Sequence, residues 1–274
     1  MRTPETKPER MTPAQNTETG AAETTGIIIH GAAGRMGRMV EEKARAGFAH
    51  THLAALVDPR MPEGGAACCY AALDAYTGPP AVVVDFSNHA ATPELLERCV
   101  SLSLPLVLGT TGHTEDERAQ ILEAAKHIPL FYSGNMSLGI AVLTDLARRA
   151  AAAFPDADIE IVEIHHNQKL DVPSGTALML AEAIREVRRE AVLHIGRHEN
   201  GKRTAQEIGV HSVRLGNEVG THEILLSTGS ETLTLKHQAG SRALFAEGAL
   251  TAAAFLSRVG RSGLYSMKDL AAPQ

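Results

Sequence analysis

From Glu163 to Thr176 the chain reads Glu-Ile-His-His-Asn-Gln-Lys-Leu-Asp-Val-Pro-Ser-Gly-Thr, which gathers two imidazoles, an ammonium and a helix start in fourteen residues. That set suits an anion. The unpaired N–H groups at a helix N-terminus carry about half a positive charge, Gly175 lets a ligand approach the backbone, and Lys169 adds a full charge. A carboxylate is the natural guest. Zinc is the competing use of paired histidines. Neighbours on extended backbone point to opposite faces, so one ion would not take both His165 and His166, and no Cys, Asp or Glu partner stands at ligand spacing. No metal is expected. Ser174 alone reads as a cap and Lys169 alone as a solvated charge. Six apt residues, His165, His166, Lys169, Ser174, Gly175 and Thr176, within twelve positions read as a site.

The elements around this stretch would position it. The β-branched run 159–164 predicts a strand that stops at the two histidines, and Pro173 bars helix before it. A helical pattern follows through Ala177, Leu180, Ile184 and Val187.

The amino-terminal half carries a second chemical signal. A strand over 26–30 leads at once into Gly31-Ala32-Ala33-Gly34-Arg35-Met36-Gly37-Arg38 and a helix through Ala46. This is a GxxGxxG variant of the dinucleotide fingerprint: a tight turn, backbone laid against a pyrophosphate, and close helix packing. A strand over 53–57 ends in Asp58, twenty-one residues past Gly37, where an acid can accept hydrogen bonds from both ribose hydroxyls of an adenosine. The alternation continues with strands over 81–86, 105–108 and 129–132 and helices over 93–101 and 115–126. Such alternation predicts a parallel, doubly wound sheet, whose ligands lie beyond the carboxyl ends of the strands. The segments 31–37, Asp58, Phe86-Ser87, Gly109-Thr110-Thr111-Gly112 and Ser133-Gly134-Asn135-Met136 all follow strands, so all five would line one crevice.

A helix over 139–153 enters a second domain. Between 208 and 237 short runs of period near two, broken by Gly216-Asn217 and Gly229-Ser230, predict an antiparallel meander punctuated by Arg214, His222 and His237. Ser241 reads as the cap of a last helix, 242–258, with Arg242 at its start, Gly260 as its stop, and an apolar face of Leu244, Phe245, Gly248, Ala252 and Phe255. The expected fold class is α/β, a Rossmann-like doubly wound parallel sheet plus a second α+β domain with a mixed or antiparallel sheet. The expected division is a disordered leader over 1–25, a dinucleotide-binding domain over 26–136 completed by 241–274, and a substrate-binding and oligomerisation domain over 137–240.

Composition bounds the function. The chain has 274 residues, 44% hydrophobic and 21% charged, so a sizeable core is within reach. A net charge of −6 with no long basic run argues against nucleic acid. Three cysteines without a CxxC pair, and no secretory signal, point to a reducing, cytoplasmic compartment. Residues 1–25 are poor in apolar side chains and hold four glutamates, unlike a transit peptide, and Met11 is an equally good start. No apolar run approaches the roughly 20 residues needed to span a membrane.

The motifs together closely resemble the 4-hydroxy-tetrahydrodipicolinate reductase (dihydrodipicolinate reductase) family over residues 26–271. The resemblance rests on the glycine loop at 31–38, Asp-Phe-Ser at 85–87, Gly-Thr-Thr-Gly at 109–112, Asn-Met-Ser at 135–137, and above all the run 163–177. It implies NAD(P)H-dependent reduction in lysine and diaminopimelate synthesis, with His165 as the acid/base residue and Lys169 as proton donor. His166, Ser174, Gly175 and Thr176 would bind a dicarboxylate ring imine. Gly31, Ala32, Ala33, Gly34, Arg35, Met36, Asp58, Gly109, Thr110, Thr111, Ser133, Gly134, Asn135 and Met136 would hold the cofactor. A homotetramer joined through the second domain is also implied. On the residues themselves, Asp58 favours NADH, since a carboxylate repels the extra phosphate of NADPH. Pro59 offers no compensating charge, but Arg60, Arg35 or Arg38 would, so NADPH should still be used. Competing readings are another two-domain nicotinamide-dependent dehydrogenase and a nicotinamide-sensing protein that has lost catalysis.

Overall fold

The computed structural model describes residues 24–61 and 68–272. Positions 1–23 of the expected leader lie outside the described residues. In chain order the first elements are β1 (Thr25–His30), α1 (Arg35–Arg45), β2 (Thr51–Val57), β3 (Cys69–Tyr70), β4 (Val82–Asp85), α2 (Thr92–Ser101), β5 (Leu106–Leu108), α3 (Glu115–Ala124) and β6 (Pro129–Tyr132). Next come α4 (Leu138–Ala153), β7 (Asp158–His165), α5 (Gly175–Arg185), β8 (Val192–Ile195), β9 (Glu207–Arg214), β10 (Thr221–Ser227) and β11 (Thr232–Gln238). The chain closes with α6 (Ala243–Val259), β12 (Gly263–Tyr265) and α7 (Met267–Ala271). No helix of the described residues is long and apolar enough to cross a membrane.

Seven strands form a parallel sheet in the order β12-β6-β5-β4-β1-β2-β3. A parallel sheet covered on both faces reads as continuous apolar runs, and residues 27–29, 82–84 and 106–108 are all buried. Alternate side chains serve opposite layers. Ile27, Ile29, Val84 and Phe131 pack on Val40 and Ala44 of α1 and on Ala246, Ala249, Leu250 and Ala253 of α6. Ile28, Val83, Leu106 and Leu130 pack on Leu95 and Leu96 of α2 and Ile121 of α3. Strand order reverses between β1 and β4, the switch point where such sheets open a crevice.

Five strands form the second sheet, in the order β11-β10-β7-β9-β8. Ile159 and Ile161 of β7 face Ile140 and Leu143 of α4 and Leu180 and Ile184 of α5. The expected meander over 208–237 is half wrong. β10 and β11 form an antiparallel hairpin turning at Gly229, but β9 pairs with β7 in parallel, and β7 lies between β9 and β10. Gly216-Asn217 therefore belongs to a crossing loop, 215–220, over the end of β7: Leu215 N donates to His165 O (2.8 Å) and Asn167 N to Gly216 O (3.1 Å). Short β8 and β12, four and three residues long, are additions that no periodicity signalled.

The last helix returns to the first sheet. Gly260 ends it in the left-handed region as expected (φ 64°), but Ser241 is not its cap: Arg242 takes the N-cap position without a side-chain bond, and Ser241 Oγ accepts from Ala243 N (3.1 Å) one residue earlier. A Cβ on Gly248 would lie 1.7 Å from the Met136 carbonyl oxygen, so α6 runs flush against the loop after β6.

Candidate active site

Alternation along β7 places Ile159, Ile161, Glu163 and His165 on its buried face, the first two in the core and the last two where the strand meets the start of α5. Register puts Arg214 of β9 beside His165 and His222 of β10 beside Glu163. Glu163 is fully buried and saturated with donors. Arg214 binds it bidentately (2.9 and 3.0 Å), Ser174 N donates to Oε1 (3.2 Å), and His165 Nδ1 lies 2.5 Å from Oε2. Burial pushes the carboxyl up, but the hydrogen bonds, led by Arg214, outweigh it and hold Glu163 at about 2. His165 is pushed below the usual imidazole range, first by burial; Glu163 opposes that, while the charges of Lys169 and Arg214 add to it.

Ser174 caps α5, its Oγ accepting from Ala177 N (3.2 Å) and lying 3.2 Å from His222 Nε2. The His222 ring meets that of His165 edge-to-face at 5.2 Å, and burial brings it down to about 4, so it is neutral. Beyond Gly175 is open space: nothing lies within 4 Å of where a Cβ would stand. Lys169 Nζ lies 2.8 Å from Asp171 Oδ1. His166 turns away from His165 and meets the guanidinium of Arg242 through Nε2 (3.2 Å). Asn135 Nδ2 donates to Thr176 Oγ1 (3.0 Å), which ties the loop after β6 to the start of α5.

At the switch point a cleft of about 480 Å³ opens, lined among others by Arg35, Met36, Gly109, Thr110, Thr111, Gly134, Asn135 and Met136, with Arg242 and Phe245 also on its wall. A shallower pocket shares Arg242 and contains His166. The glycine loop explains its own residue types. Gly31 has φ 79° and a Cβ there would stand 2.7 Å from Phe86 O; a Cβ on Gly37 would stand 2.4 Å from Gly31 O. Gly31 N and Ala32 N donate to Val57 O, Gly34 N to Gly31 O, and Ala33 N to Asp58 Oδ2 (3.1 Å). These amides are spent on the turn. The first turn of α1, beginning Arg35-Met36, has no side-chain cap and no acidic residue, so its N–H groups could take a pyrophosphate. Thr110 donates its hydroxyl to Asp85 (2.5 Å) and accepts from Ser87 N (2.9 Å), which fixes the Gly-Thr-Thr-Gly loop. The cleft, the glycine cradle and the uncapped helix start fit a nicotinamide dinucleotide.

Asp58 departs from expectation in one respect. It is buried, and both its oxygens are engaged by Arg60, through Nε (2.8 Å) and Nη2 (2.9 Å), with Arg60 N adding a third bond (3.0 Å). The Arg60 guanidinium holds its carboxyl down at about 2. Of the other expected cofactor residues, Gly31, Ala32 and Asp58 are buried, and Ala33, Gly34 and Ser133 are half-buried next to residues that line the cleft. Sequence reasoning gave Glu163 no role and no partner. The available signal was parity: a glutamate in phase with Ile159, Ile161 and His165 on a buried face needs donors.

A switch-point cleft over a parallel sheet, joined to a mixed sheet whose β7 runs into the Ser174-capped start of α5, is the architecture of a two-sheet nicotinamide-dependent oxidoreductase. The chain belongs to the dihydrodipicolinate reductase family: the family models "Dihydrodipicolinate reductase, N-terminus" and "Dihydrodipicolinate reductase, C-terminus" match residues 25–136 and 139–271. A 4-hydroxy-tetrahydrodipicolinate reductase of Caldanaerobacter subterraneus subsp. tengcongensis is 42% identical over 247 residues, 89% of this chain and 97% of that protein. One of an Exiguobacterium species is 40% identical over 245 residues, 89% and 94% of the two chains. The dipicolinate-bound dihydrodipicolinate reductase of a Paenisporosarcina species superposes with a TM-score of 0.75 at 27% identity, covering 90% of this chain and all of that one. A DAP dehydrogenase of Corynebacterium glutamicum, 15% identical with a TM-score of 0.56, covers 92% of this chain and 96% of that one and shares the fold alone. Membership makes the chain an NAD(P)H-dependent oxidoreductase with the reductase activity of lysine and diaminopimelate synthesis.

Proposed function

We propose that His165 and Lys169 carry the proton chemistry of this reductase and that the start of α5 holds its dicarboxylate substrate. The observation that carries the reading is a convergence: the Glu163-bound imidazole, Lys169 and the Ser174-capped helix start meet where Asn135 joins Thr176 to the cofactor loop. When bound, the nicotinamide supplies a hydride to a ring carbon. The chain's own groups do the rest. Lys169 donates a proton, the neutral imidazole of His165 serves as its acid/base partner, and departure of the substrate hydroxyl as water balances hydride plus proton. One carboxylate takes the amides of Gly175 and Thr176; the other takes His166 with Arg242.

Residues 26–136, completed by 241–274, bind the cofactor, and 137–240 bind substrate and join subunits. The sheet face opposite α4 and α5, where Val213 is exposed and Val162, Ile164 and Leu225 are half-buried, supports a homotetramer built through that sheet. The compartment is cytoplasmic. NADH is preferred modestly and NADPH is accepted, because Arg60 covers the charge of Asp58 and brings a guanidinium to the ribose end. The test is a coupled assay in which synthase product made from pyruvate and aspartate semialdehyde is offered with reduced nicotinamide. His165→Ala and Lys169→Ala should each lower turnover about 10²–10⁴-fold with the fold intact. Near-normal turnover in both would remove the assigned roles.

A further inference from the structure

We propose that Glu163 is the positioning residue for His165, fixing the imidazole with Nδ1–H on the carboxylate and Nε2 turned toward the reacting ring, and that Gly220 keeps the space before Nε2 open. The proposal rests on the reading of His165 as the acid/base residue. Glu163 is fully buried, where a carboxylate persists only if its oxygens are met by donors. Those donors are the two Arg214 amino groups, Ser174 N and His165 Nδ1. An ionised carboxylate only accepts, so the imidazole nitrogen 2.5 Å from it carries the hydrogen. Nε2 is then the lone-pair nitrogen of the neutral ring, and among the described residues no protein group bonds to it.

The bracket around the ring is rigid. Arg214 grips Glu163 from β9 and Ser174 N grips it from the helix start, so the carboxylate cannot swing without breaking bonds on two neighbouring elements. It therefore couples the angle of the imidazole to the anion-binding end of α5. Gly220 approaches from the other side. Its φ lies outside the left-handed region, so backbone conformation does not demand glycine there. Space does: a Cβ would stand 3.0 Å from His165 Nε2 and 3.4 Å from Cδ2. The charged and titratable groups facing His165 are Glu163 on its own strand, Arg214 from β9, His222 from β10, Glu218 from the crossing loop and Lys169 from the loop after β7. Of these, only Glu163 is hydrogen-bonded to the ring.

The test uses the full chain. Glu163→Gln keeps the shape and one accepting oxygen but removes the charge that holds a proton on the ring. Turnover should fall at least about tenfold, and the limb of the kcat/KM–pH profile that belongs to His165 should move to lower pH, with cofactor affinity unchanged. A limb that stays in place would overturn the proposal even if turnover falls, because a merely structural role lowers rate without moving a titration. The unaltered protein gives a reading free of folding effects: with selectively 15N-labelled histidine, the His165 signals, assigned by their loss in His165→Ala, should be those of an Nδ1–H tautomer. An Nε2–H tautomer would overturn it. Gly220→Ala should lower kcat while leaving the tautomer and cofactor affinity as they are; full turnover in that variant removes the role of Gly220. If His165→Ala itself is fully active, the acid/base reading has failed. If it is inactive while Glu163→Gln keeps the unaltered pH profile, only the positioning role has failed.

Discussion

Lowering the pH from 7 to 5 is expected to weaken the five-stranded sheet before ordinary carboxylates titrate, because His222 is buried neutral. Its folded value is about 4 against 6.5 for an exposed imidazole. The sign follows from linkage. Between those values the unfolded chain binds a proton that the folded chain refuses, so the full stability is present above 6.5 and is lost as pH falls toward 4. At about 1.4 kcal/mol per pH unit, the whole gap amounts to about 3 kcal/mol, of which about 2 is lost by pH 5. His165 and His237, both pushed down by burial, titrate in the same direction and add to the loss. Glu163 acts in a lower window: held at about 2 against 4.5, it contributes stability above 4.5 that disappears only as pH falls toward 2. The measurement is urea unfolding at several pH values and fixed protein concentration, for the unaltered chain and His222→Gln. The variant should lose about 2 kcal/mol less than the unaltered chain between pH 7 and 5. Identical pH dependence in the two proteins would refute the assignment to His222.

Pyridine-2,6-dicarboxylate should compete with substrate, since its two carboxylates match the two cradles; unchanged inhibition in a Thr176→Val, Lys169→Met double variant would put the anion site elsewhere. Asp58→Ala should shift kcat/KM toward NADPH at constant ionic strength, because it removes a carboxylate and frees Arg60 for the extra phosphate. A strong NADPH preference in the unaltered protein would mean that Arg60, and not Asp58, sets the choice.

The seven-stranded sheet was legible because parallel strands buried on both faces spell unbroken apolar runs, as at Ile27, Ile28 and Ile29, and because glycine loops mark their carboxyl ends. The order of the five-stranded sheet was not legible. Gly216-Asn217 carries the composition of a hairpin turn yet spans a strand, and only the long-range pairing of β7 with β9 and β10 decides between the two. β8 and β12 are too short for any period to register. In the candidate site, the residue types and their spacing were visible, but their mutual contacts were not. The pairing of Asp58 with Arg60 depends on a side-chain conformation, and that of His166 with Arg242 joins positions far apart in the chain.

The return of the last elements to the first sheet has a consequence for how the protein is made. A ribosome delivers β1 to β6 first and then all of the five-stranded sheet, and only afterwards α6 and β12. Until α6 emerges, Val84, Val107 and Phe131 lack the helix that covers them, and β6 remains an open edge until β12 arrives. The nascent chain thus holds a bare apolar face through most of its synthesis, the interval in which holdase chaperones act on exposed surfaces of this kind. A chain ending before Ala243 would for the same reason keep every strand of the five-stranded sheet and leave Val84, Val107 and Phe131 without their covering helix.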